Sequence, residues 1–374
     1  MNVPKLRFKE FNDEWSYDAL SKYVDRIITK NKNNESNLVL TISAQYGLVD
    51  QTEFFNRNVS SSNLTGYYLL NRGDFAYNKS YSNGYPWGAI KRLNRYNQGV
   101  VSSLYICFKP NNKINSNYLE QYFETDKWYQ QISEVSVEGA RNHGLLNIAV
   151  NDFFNTEHFI PQFKEQEKIA NFLSLLDKKI DLQTKKIEDL KLFKLCIKKG
   201  LFSKINNHNL TKIENILEFE QPSKYIVHSE EYIKDLNAIP VLTANKAFIL
   251  GYCDETGYYN KGNCIIFDDF TMDMKYVNFP FKVKSSALKI LTSKENIDLK
   301  FVYEYLQYLN LHSEEHKRHY ISTVQQLYIP NPDLDTQKSI SQKLTCFDNL
   351  LLLETEKLNK LNALKKGLMQ NMFV

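Results

Sequence analysis

The stretch FIPQFKEQEKIANFLSLLDKKIDLQTKKIEDLKLFKLCIKKGLFSK, residues 159–204, decides how this chain folds. Its Ile-Pro pair at 160–161 ends the preceding element, because a proline disfavours helix at the residue before it. Leu, Lys, Glu and Ile then dominate, with no glycine before Gly200. Apolar side chains recur in alternating steps of four and three, at Ile169, Leu173, Leu176, Ile180, Ile187, Leu190, Ile197 and Leu201, with Gln183 and Lys194 in the gaps. This heptad pattern predicts a long helix packed against a partner helix.

A second stretch of the same chain repeats this pattern. Residues 328–374, YIPNPDLDTQKSISQKLTCFDNLLLLETEKLNKLNALKKGLMQNMFV, also open near an Ile-Pro pair and continue as a long helical run. Adding 171 to each position of the first seam gives a second seam: Ile340, Leu344, Phe347, Leu351, Glu354, Leu358, Leu361, Lys365, Leu368 and Met372. Even the polar positions coincide, since Gln183 falls on Glu354 and Lys194 on Lys365. The matches in register indicate an internal duplication rather than two unrelated amphipathic helices.

The composition limits the kinds of protein this can be. A chain of 374 residues can form two or three domains with sizeable cores. It has no signal peptide and no apolar run near the length of a membrane span, so we expect a soluble, cytoplasmic protein without a membrane role. Five cysteines without CxxC spacing predict reduced, incidental thiols. The net charge of +4 permits nucleic-acid binding without indicating it.

The segments outside the helical runs predict two mixed α+β globules that share one plan. In the first, strand-like runs at 38–43, 74–77 and 100–108 precede a helix over 117–133. The second gives weaker matches in the same order: VLTISAQ at 39–45 with PVLTANK at 240–246, NRGDFAYNKSY at 71–81 with NKGNCIIFDDF at 260–270, VVSSLYI at 100–106 with KSSALKI at 284–290, and NYLEQYF at 117–123 with KFVYEYL at 300–306. Their common order supports the duplication.

Four segments are therefore predicted: a globule at 1–160, a helix at 161–205, a globule at 206–330 and a helix at 331–374. The second globule leaves the end of the first helix and enters the start of the second. Because the ends of a compact domain generally lie close together, the two helices should run antiparallel as a coiled coil. The two halves would then be related by a pseudo-two-fold axis, and the chain termini should meet beside the first globule.

Three sequences within this plan resemble the specificity subunit of type I restriction-modification systems. They are PKLRFKEFNDEW at 4–15, EGARNHGLLNI at 138–148 and the Ile-Pro run that continues as EQEKIANFLSLLDKKI. The resemblance covers the whole layout. It implies that the globules are target-recognition domains and that the helices form a spacer that docks methyltransferase subunits. One departure is IPNPDLDTQKSI at 329–340, which has two more residues before Gln337 than its counterpart has before Gln166.

The resemblance also implies a function for the chain. It implies a non-catalytic subunit that reads a bipartite site in double-stranded DNA and seats two methyltransferase subunits together with restriction/translocase subunits. No cofactor is implied in this chain; the complex would use S-adenosylmethionine on the methyltransferase, and ATP with magnesium for restriction. Its adenine target would be flipped out of the duplex. A structural adaptor that binds only proteins remains the alternative.

Catalytic motifs are weak or missing. HSEEH at 312–316 fits the H-x-x-E-H zinc-peptidase pattern, in which His312 and His316 would hold zinc and Glu315 would act as general base. The run is highly charged and occupies the place that matches the end of the 117–133 helix, so a solvated helix end or a phosphate-facing patch is preferred. GxGxxG, GxxxxGK[ST] and Asn-Pro-Pro-aromatic motifs are absent from the sequence. We therefore expect no metal site and no catalytic residues, and a zinc hydrolase is the least favoured interpretation.

Base edges are read by side chains with paired donors and acceptors, so polar clusters at strand ends and loops are candidates for DNA contact. In the first globule these are Ser43, Gln45, Tyr46, Asn78, Lys79, Ser80, Tyr81, Arg141, Asn142 and His143. In the second they are Thr243, Asn245, Lys246, Lys317, Arg318, His319 and Tyr320. A basic cluster suited to phosphates comprises Lys91, Arg92 and Arg95. We expect fewer than about half of these residues to touch DNA.

Helix length limits the unread gap if each globule reads its own half-site. The seam from Ile169 to Leu201 spans ~48 Å at ~1.5 Å per residue. DNA rises ~3.4 Å per base pair, which limits the separation of the half-site centres to ~14 base pairs. Globules on one face of the duplex would place the centres about one turn, ~10 base pairs, apart.

Overall fold

The computed structural model describes residues 3–56, 63–82, 84–136, 146–205, 209–229, 231–244, 247–312 and 317–374. Helices and strands are mixed along the chain, so the α+β class is confirmed. The chain divides into two compact units, Met1–Gln183 with Lys357–Val374, and Thr184–Glu356. Each unit contains part of both long helices, so the predicted division into four segments stays a prediction.

The first unit is built on an antiparallel sheet. Its strands are β1 (Ser16–Ala19), β2 (Val24–Arg26), β3 (Leu40–Ser43), β4 (Gly47–Asp50), β5 (Tyr68–Asn71), β6 (Phe75–Asn78), β7 (Ala89–Arg92), β8 (Gln98–Val101), β9 (Ile106–Pro110) and β10 (Glu157–Ile160). Its helices are α1 (Gln51–Phe55), α2 (Ser116–Phe123), α3 (Tyr129–Val135), α4 (Val150–Asn155) and the first part of α5 (Phe163–Ser203). The main sheet has the order β2-β9-β6-β7, and β1 pairs with β10.

The second unit repeats this topology. Its strands are β11 (Leu210–Lys212), β12 (Leu217–Glu220), β13 (Ile239–Leu242), β14 (Ile249–Cys253), β15 (Cys264–Asp268), β16 (Met274–Val277), β17 (Lys282–Val283), β18 (Leu288–Ser293) and β19 (Tyr328–Pro330). Its helices are α6 (Ile213–Ile216), α7 (Leu299–Leu309) and most of α8 (Leu334–Met372), beside the second part of α5. The sheet order β12-β18-β15-β16 and the β11–β19 pair match the first unit strand for strand.

Matching details support the duplication. Gly73 and Gly262, aligned from the sequence, have φ of 97° and 92° and lie two residues before β6 and β15. Glycine adopts this left-handed region without the steric cost that a Cβ imposes. Asn115 and Asp298 occupy the N-cap positions of α2 and α7, and each side chain accepts backbone N–H groups of its helix.

Two predicted elements are each divided in the structure. The helix expected over 117–133 is α2 followed by α3, because the Thr125 hydroxyl donates to the carbonyl of Tyr122 and the Trp128 indole donates to that of Phe123. These side chains satisfy carbonyls that a continuing helix would have used. The strand expected over 100–108 is β8 and β9, separated by a turn in which the N–H of Tyr105 donates to the carbonyl of Ser102.

The long helices follow the predicted seams. Every seam position on α5 and α8 is buried or half-buried, including the polar Gln183 and Lys194. The neighbouring Leu182 and Leu353 are instead 69% and 62% exposed. The narrow buried stripe is the pattern expected of a helix with one partner helix.

Contacts inside each unit give the direction of the helices. In the first unit, Leu173 packs in one core with Met372, and further along α5 Asp177 pairs with Lys365 at 2.5 Å. Higher numbers on α5 thus meet lower numbers on α8, so the segments run antiparallel, as predicted. The N–H of Leu6 donates to the carbonyl of Asn371, so the chain ends meet in this unit.

The second unit has the same arrangement. Lys194 pairs with Asp348 at 2.5 Å, and Leu201 packs in one core with Ile340. Adding 171 to Asp177 gives Asp348, and adding 171 to Lys194 gives Lys365. The two ion pairs are therefore duplicates of each other, with the aspartate on α5 in the first unit and on α8 in the second. Within the described ranges, no helix is both long and apolar enough to cross a membrane.

Removing a seam leucine tests this packing. Leu344 is fully buried, so Leu344→Ala should lower the free energy of unfolding by about 2–5 kcal/mol. The exposed Leu353 offers a matched control, and Leu353→Ala should change it by about 0.5 kcal/mol or less. Urea denaturation of the purified chain measures both. Equal losses in the two variants would contradict the assignment of the seam.

Candidate nucleic-acid interface

The β3–β4 hairpin presents two of the predicted residues to solvent. Ser43 ends β3 and is buried, and its hydroxyl accepts the backbone N–H of Tyr46 at 3.2 Å. Gln45 and Tyr46 lie in the turn and are exposed, and Gly47 has the positive φ that reverses the chain. Ser43 therefore shapes the turn, while the amide and the phenol are accessible to a ligand.

The residues that follow β6 contact the last residues of the 138–148 run. The ammonium of Lys79 donates to the carbonyl of Ile148 at 3.1 Å, and the carbonyl of Lys79 accepts the N–H of Leu146. Burial lowers the pKa of Lys79. The side chain of Asn78 accepts the N–H of Ser80, whereas Tyr81 is 60% exposed. Three further predicted residues, Arg141, Asn142 and His143, lie outside the described residues.

Two of the three predicted phosphate ligands are engaged inside the first unit. Lys91 is buried, and its ammonium lies 2.6 Å and 2.8 Å from the carboxylate oxygens of Glu124. Arg92 pairs with Glu120 on α2 at 2.5 Å. This corrects the sequence interpretation, because both charges already have partners in the fold. Arg95 is exposed, and its role as a phosphate ligand stays a prediction.

The second-unit candidates at 243–246 are described only in part. Thr243 is half-buried, and its N–H donates to the carbonyl of Phe248 at 3.0 Å. Asn245 and Lys246 lie outside the described residues. Their roles stay predictions.

The run Lys317–Tyr320 divides into surface residues and anchors. Lys317 and Arg318 are exposed. His319 and Tyr320 are buried, and their backbone N–H groups donate to the Asp269 carboxylate at 3.1 Å and 2.8 Å. The prediction that these two side chains contact DNA is corrected, because neither is accessible. They hold the run in place and leave Lys317 and Arg318 on the surface.

The zinc interpretation finds no support in the part of the chain that the structure describes. His312 is exposed, and its Nδ1 lies 3.0 Å from the carbonyl oxygen of Asn310. Glu315 and His316 fall outside the described residues. Among the residues that are described, no three His, Cys, Asp or Glu side chains are grouped so as to hold a metal ion.

Sequence reasoning missed a buried ionic cluster where α7 meets α5 and α8 in the second unit. The Glu304 carboxylate is 1% exposed and lies 2.5 Å, 2.9 Å and 3.5 Å from the ammonium groups of Lys198, Lys300 and Lys194. Asp348 contacts Lys194 and Lys300. Burial raises the pKa of Glu304, but the lysines outweigh this effect and bring it to about 2. No local motif indicates the cluster, since its members lie far apart in sequence.

The matching place in the first unit holds a neutral residue. Gln121 on α2 aligns with Glu304, and its amide donates to Asp177 at 2.9 Å. Asp177 in turn pairs with Lys365. Both units therefore have an ion pair between α5 and α8. They differ in the residue beside it, which is the neutral Gln121 on α2 in the first unit and the charged Glu304 on α7 in the second.

Comparisons with known proteins agree with this architecture. Residues 200–363 match the family model of the type I restriction modification DNA specificity domain. The type I restriction enzyme EcoR124I/EcoR124II specificity subunit of Escherichia coli is 44% identical over 162 residues, which span 40% of this chain and 40% of that protein's length. The putative type I restriction enzyme MjaX specificity subunit of Methanocaldococcus jannaschii is 26% identical over 298 residues, 71% of this chain and 69% of the relative.

Solved structures share the fold over nearly the whole chain. The S subunit of a type-I restriction-modification system from M. genitalium superposes with a TM-score of 0.64 at 16% identity, covering 100% of this chain and 99% of the other. A chain from a study of complex assembly and conformational transition of the type I R-M system gives 0.57 at 15% identity, covering 96% and 97%. At such identities the superpositions show the fold alone. Together with the sequence matches they confirm the predicted resemblance to type I specificity subunits.

The buried cluster predicts a pH-dependent stability. The folded-state pKa of Glu304 is about 2 and its usual value is 4.5, so its stabilisation is present above about pH 4.5 and is lost as the pH falls toward 2. Glu304→Gln should therefore lower the free energy of unfolding by about 3 kcal/mol at pH 7, and by less at pH 3. Urea titrations at both values measure this difference.

The control for this experiment is Glu218→Gln, at an exposed position of β12. It should change the free energy of unfolding by about 0.5 kcal/mol or less at either pH. A loss for Glu304→Gln that stays constant between pH 7 and pH 3 would contradict the assignment of an ionised carboxylate.

Proposed function

We propose that this chain is the DNA-recognition subunit of a type I restriction-modification complex. The observation that carries the proposal is the repeated unit, one sheet order and one set of helix contacts used twice, in a chain that resembles specificity subunits over its whole length. Its role is recognition, and the resemblance assigns it no catalytic chemistry.

Each unit reads its own half of a bipartite site in double-stranded DNA. Two pairs of exposed residues support this proposal, Gln45 with Tyr46 on the first unit and Lys317 with Arg318 on the second. Hydrogen bonds from the neighbouring backbone to Ser43 and Asp269 hold both segments in place. Amide and guanidinium groups can form paired hydrogen bonds with purine edges in the major groove. Each reading turn is short and is held by buried neighbours, so its side chains keep a defined position.

The two long helices form an antiparallel coiled-coil spacer that docks two copies of a methyltransferase subunit. Support comes from exposed apolar residues that the duplication repeats. Leu182 and its duplicate Leu353 are 69% and 62% exposed, and Phe193 and its duplicate Leu364 are each 53% exposed. Apolar groups retained on the surface at both members of a duplicated pair fit one partner bound twice.

Catalysis and cofactors belong to the partner subunits in this proposal. The methyltransferase would hold S-adenosylmethionine and act on an adenine flipped from the duplex. Restriction/translocase subunits would use ATP with magnesium.

Methylome sequencing tests the proposal directly. The chain is co-expressed with a type I methyltransferase subunit, and methylated adenines are mapped. A bipartite motif with one fixed gap, seen only when both chains are present, is the expected outcome. Methylation that does not depend on this chain would contradict the proposal and favour the protein-binding adaptor.

The two half-sites should be separable by mutation. Gln45→Ala should relax the sequence of one half-site, and Arg318→Ala that of the other, because each side chain belongs to a different unit. Losing one bidentate base contact typically reduces discrimination at that base pair by about 1–3 kcal/mol. Methylomes of the two variants measure this. A single substitution that changes both halves would show that the units do not read DNA independently.

Substituting the exposed Arg95 should affect DNA binding, whereas substituting Arg92, which pairs with Glu120, should affect stability. Arg95→Ala should weaken binding to all sequences alike and reduce the salt-dependence slope by about one. Arg92→Ala should instead lower the melting temperature, because it removes the partner of Glu120. Binding titrations of the assembled complex at several salt concentrations, with thermal melts of the chain, distinguish the two. Unchanged salt dependence in Arg95→Ala would remove Arg95 from the interface.

A further inference from the structure

Two duplicated glutamines occupy the same kind of joint in the two units. Gln166 on α5 and Gln337 on α8 are each 1% exposed. The side-chain oxygen of Gln166 accepts the backbone N–H of Asn115 at 2.7 Å, and its amide group donates to the carbonyl of Pro161 at 2.9 Å. Gln337 accepts the N–H of Asp298 at 2.9 Å and donates to the carbonyl of Pro332 at 2.8 Å.

The hydrogen-bond partners fix the orientation of each amide. A backbone N–H can only donate and a backbone carbonyl can only accept, so the glutamine oxygen must face the first and its nitrogen the second. A buried side chain with one acceptor and one donor at this separation is required. Glutamate lacks the donor, methionine lacks both groups, and asparagine is one methylene too short to reach both.

The bonded residues lie at a structural junction. Asn115 and Asp298 end the connections that lead from β9 and β18, which are inner strands of the two main sheets, and their side chains cap α2 and α7. The proline carbonyls lie just before the long helices begin. Each glutamine therefore joins the cap of a recognition-unit helix to the first turns of a long helix.

The second Ile-Pro pair is followed by two more residues before Gln337 than the first is before Gln166, but this insertion leaves the junction intact. Pro332, the second proline of that run, stands five residues before Gln337, as Pro161 stands five before Gln166. The extra residues are accommodated before the helix, where the N–H of Asn331 donates to the carbonyl of Asn209. The same glutamine-to-proline bond is thus formed from different local sequences, which indicates that the bond itself is required.

We propose that Gln166 and Gln337 are positioning residues that fix each recognition unit on its long helix, and thereby fix the gap between the two half-sites. The inference rests on the proposed function. The seam residues Leu173 and Leu344 share cores with α2 and α7, so apolar packing already joins these two helices to the long helices. In each unit one glutamine bond spans this joint, and the other, to the proline five residues earlier, orients the amide. A directional hydrogen bond to a backbone atom restricts the attachment more sharply than apolar packing does.

The first test uses the purified chain without DNA. Hydrogen exchange followed by mass spectrometry reports on the peptides that contain Asn115 and Asp298. Gln166→Met should speed exchange around Asn115 roughly five- to tenfold and leave the region of Asp298 unchanged, and Gln337→Met should do the reverse. Gln342→Met, at an exposed position of α8, is the matched control and should alter neither. Unchanged exchange at both sites in the two variants would overturn the proposal.

The second test uses the chain with its methyltransferase partner and a library of targets that differ only in gap length. Both half-site sequences should be retained in Gln166→Met and Gln337→Met, while modification of targets one base pair longer or shorter should rise about tenfold relative to the preferred gap. Lower activity with an unchanged gap preference would overturn the proposal, because a loss of stability alone predicts that result.

A milder pair of variants keeps the test decisive if a methionine variant fails to fold. Gln166→Asn and Gln337→Asn retain the amide but cannot span both partners, so the same local exchange and the same gap tolerance are expected, and wild-type behaviour in both overturns the proposal. A wild-type complex without a bipartite motif would defeat the proposed function itself. A bipartite wild type whose glutamine variants keep a strict gap would defeat only this inference.

Discussion

The structure depends on the burial of one narrow apolar seam on each long helix. An isolated helix with a single such stripe is marginal in water, and most of its stability comes from the partner that covers the stripe. In the first unit α5 is covered by the end of α8, and in the second by its beginning. Chain direction, the meeting of the termini and the placement of α2 and α7 all follow from this pairing.

Charged residues in and beside the seam make the pairing specific. Asp177 with Lys365, and Asp348 with Lys194, are partly buried ion pairs that an alternative register would leave unmatched. Partly buried charges contribute little net stability when paired but are costly when unpaired, so they act against wrong registers. Duplication preserved both pairs, whereas the neighbouring Gln121 and Glu304 diverged in charge.

The candidate DNA-contacting residues divide into exposed and buried side chains. Gln45, Tyr46, Arg95 and Arg318 are on the surface. Their neighbours Ser43, Lys91, His319 and Tyr320 face inward and satisfy buried partners. A side chain that binds a ligand benefits from a fixed backbone, because orienting a loop at the moment of binding would cost conformational entropy. Adjacent polar residues in such a run therefore differ in burial, and the buried ones hold the backbone of the exposed ones.

The sequence alone determined the long helices, their seams, the duplication and the antiparallel direction, because a heptad pattern of some forty residues and a repeat at constant spacing record the burial of each position. It did not determine where α2 ends, since Thr125 and Trp128 bond to carbonyls only in the folded unit. Nor could it separate Tyr320 from Arg318, because the carboxylate that anchors the first belongs to Asp269, some fifty residues away. Only the tertiary structure brings such distant donors and acceptors together, and their pairing decides which polar side chains remain on the surface.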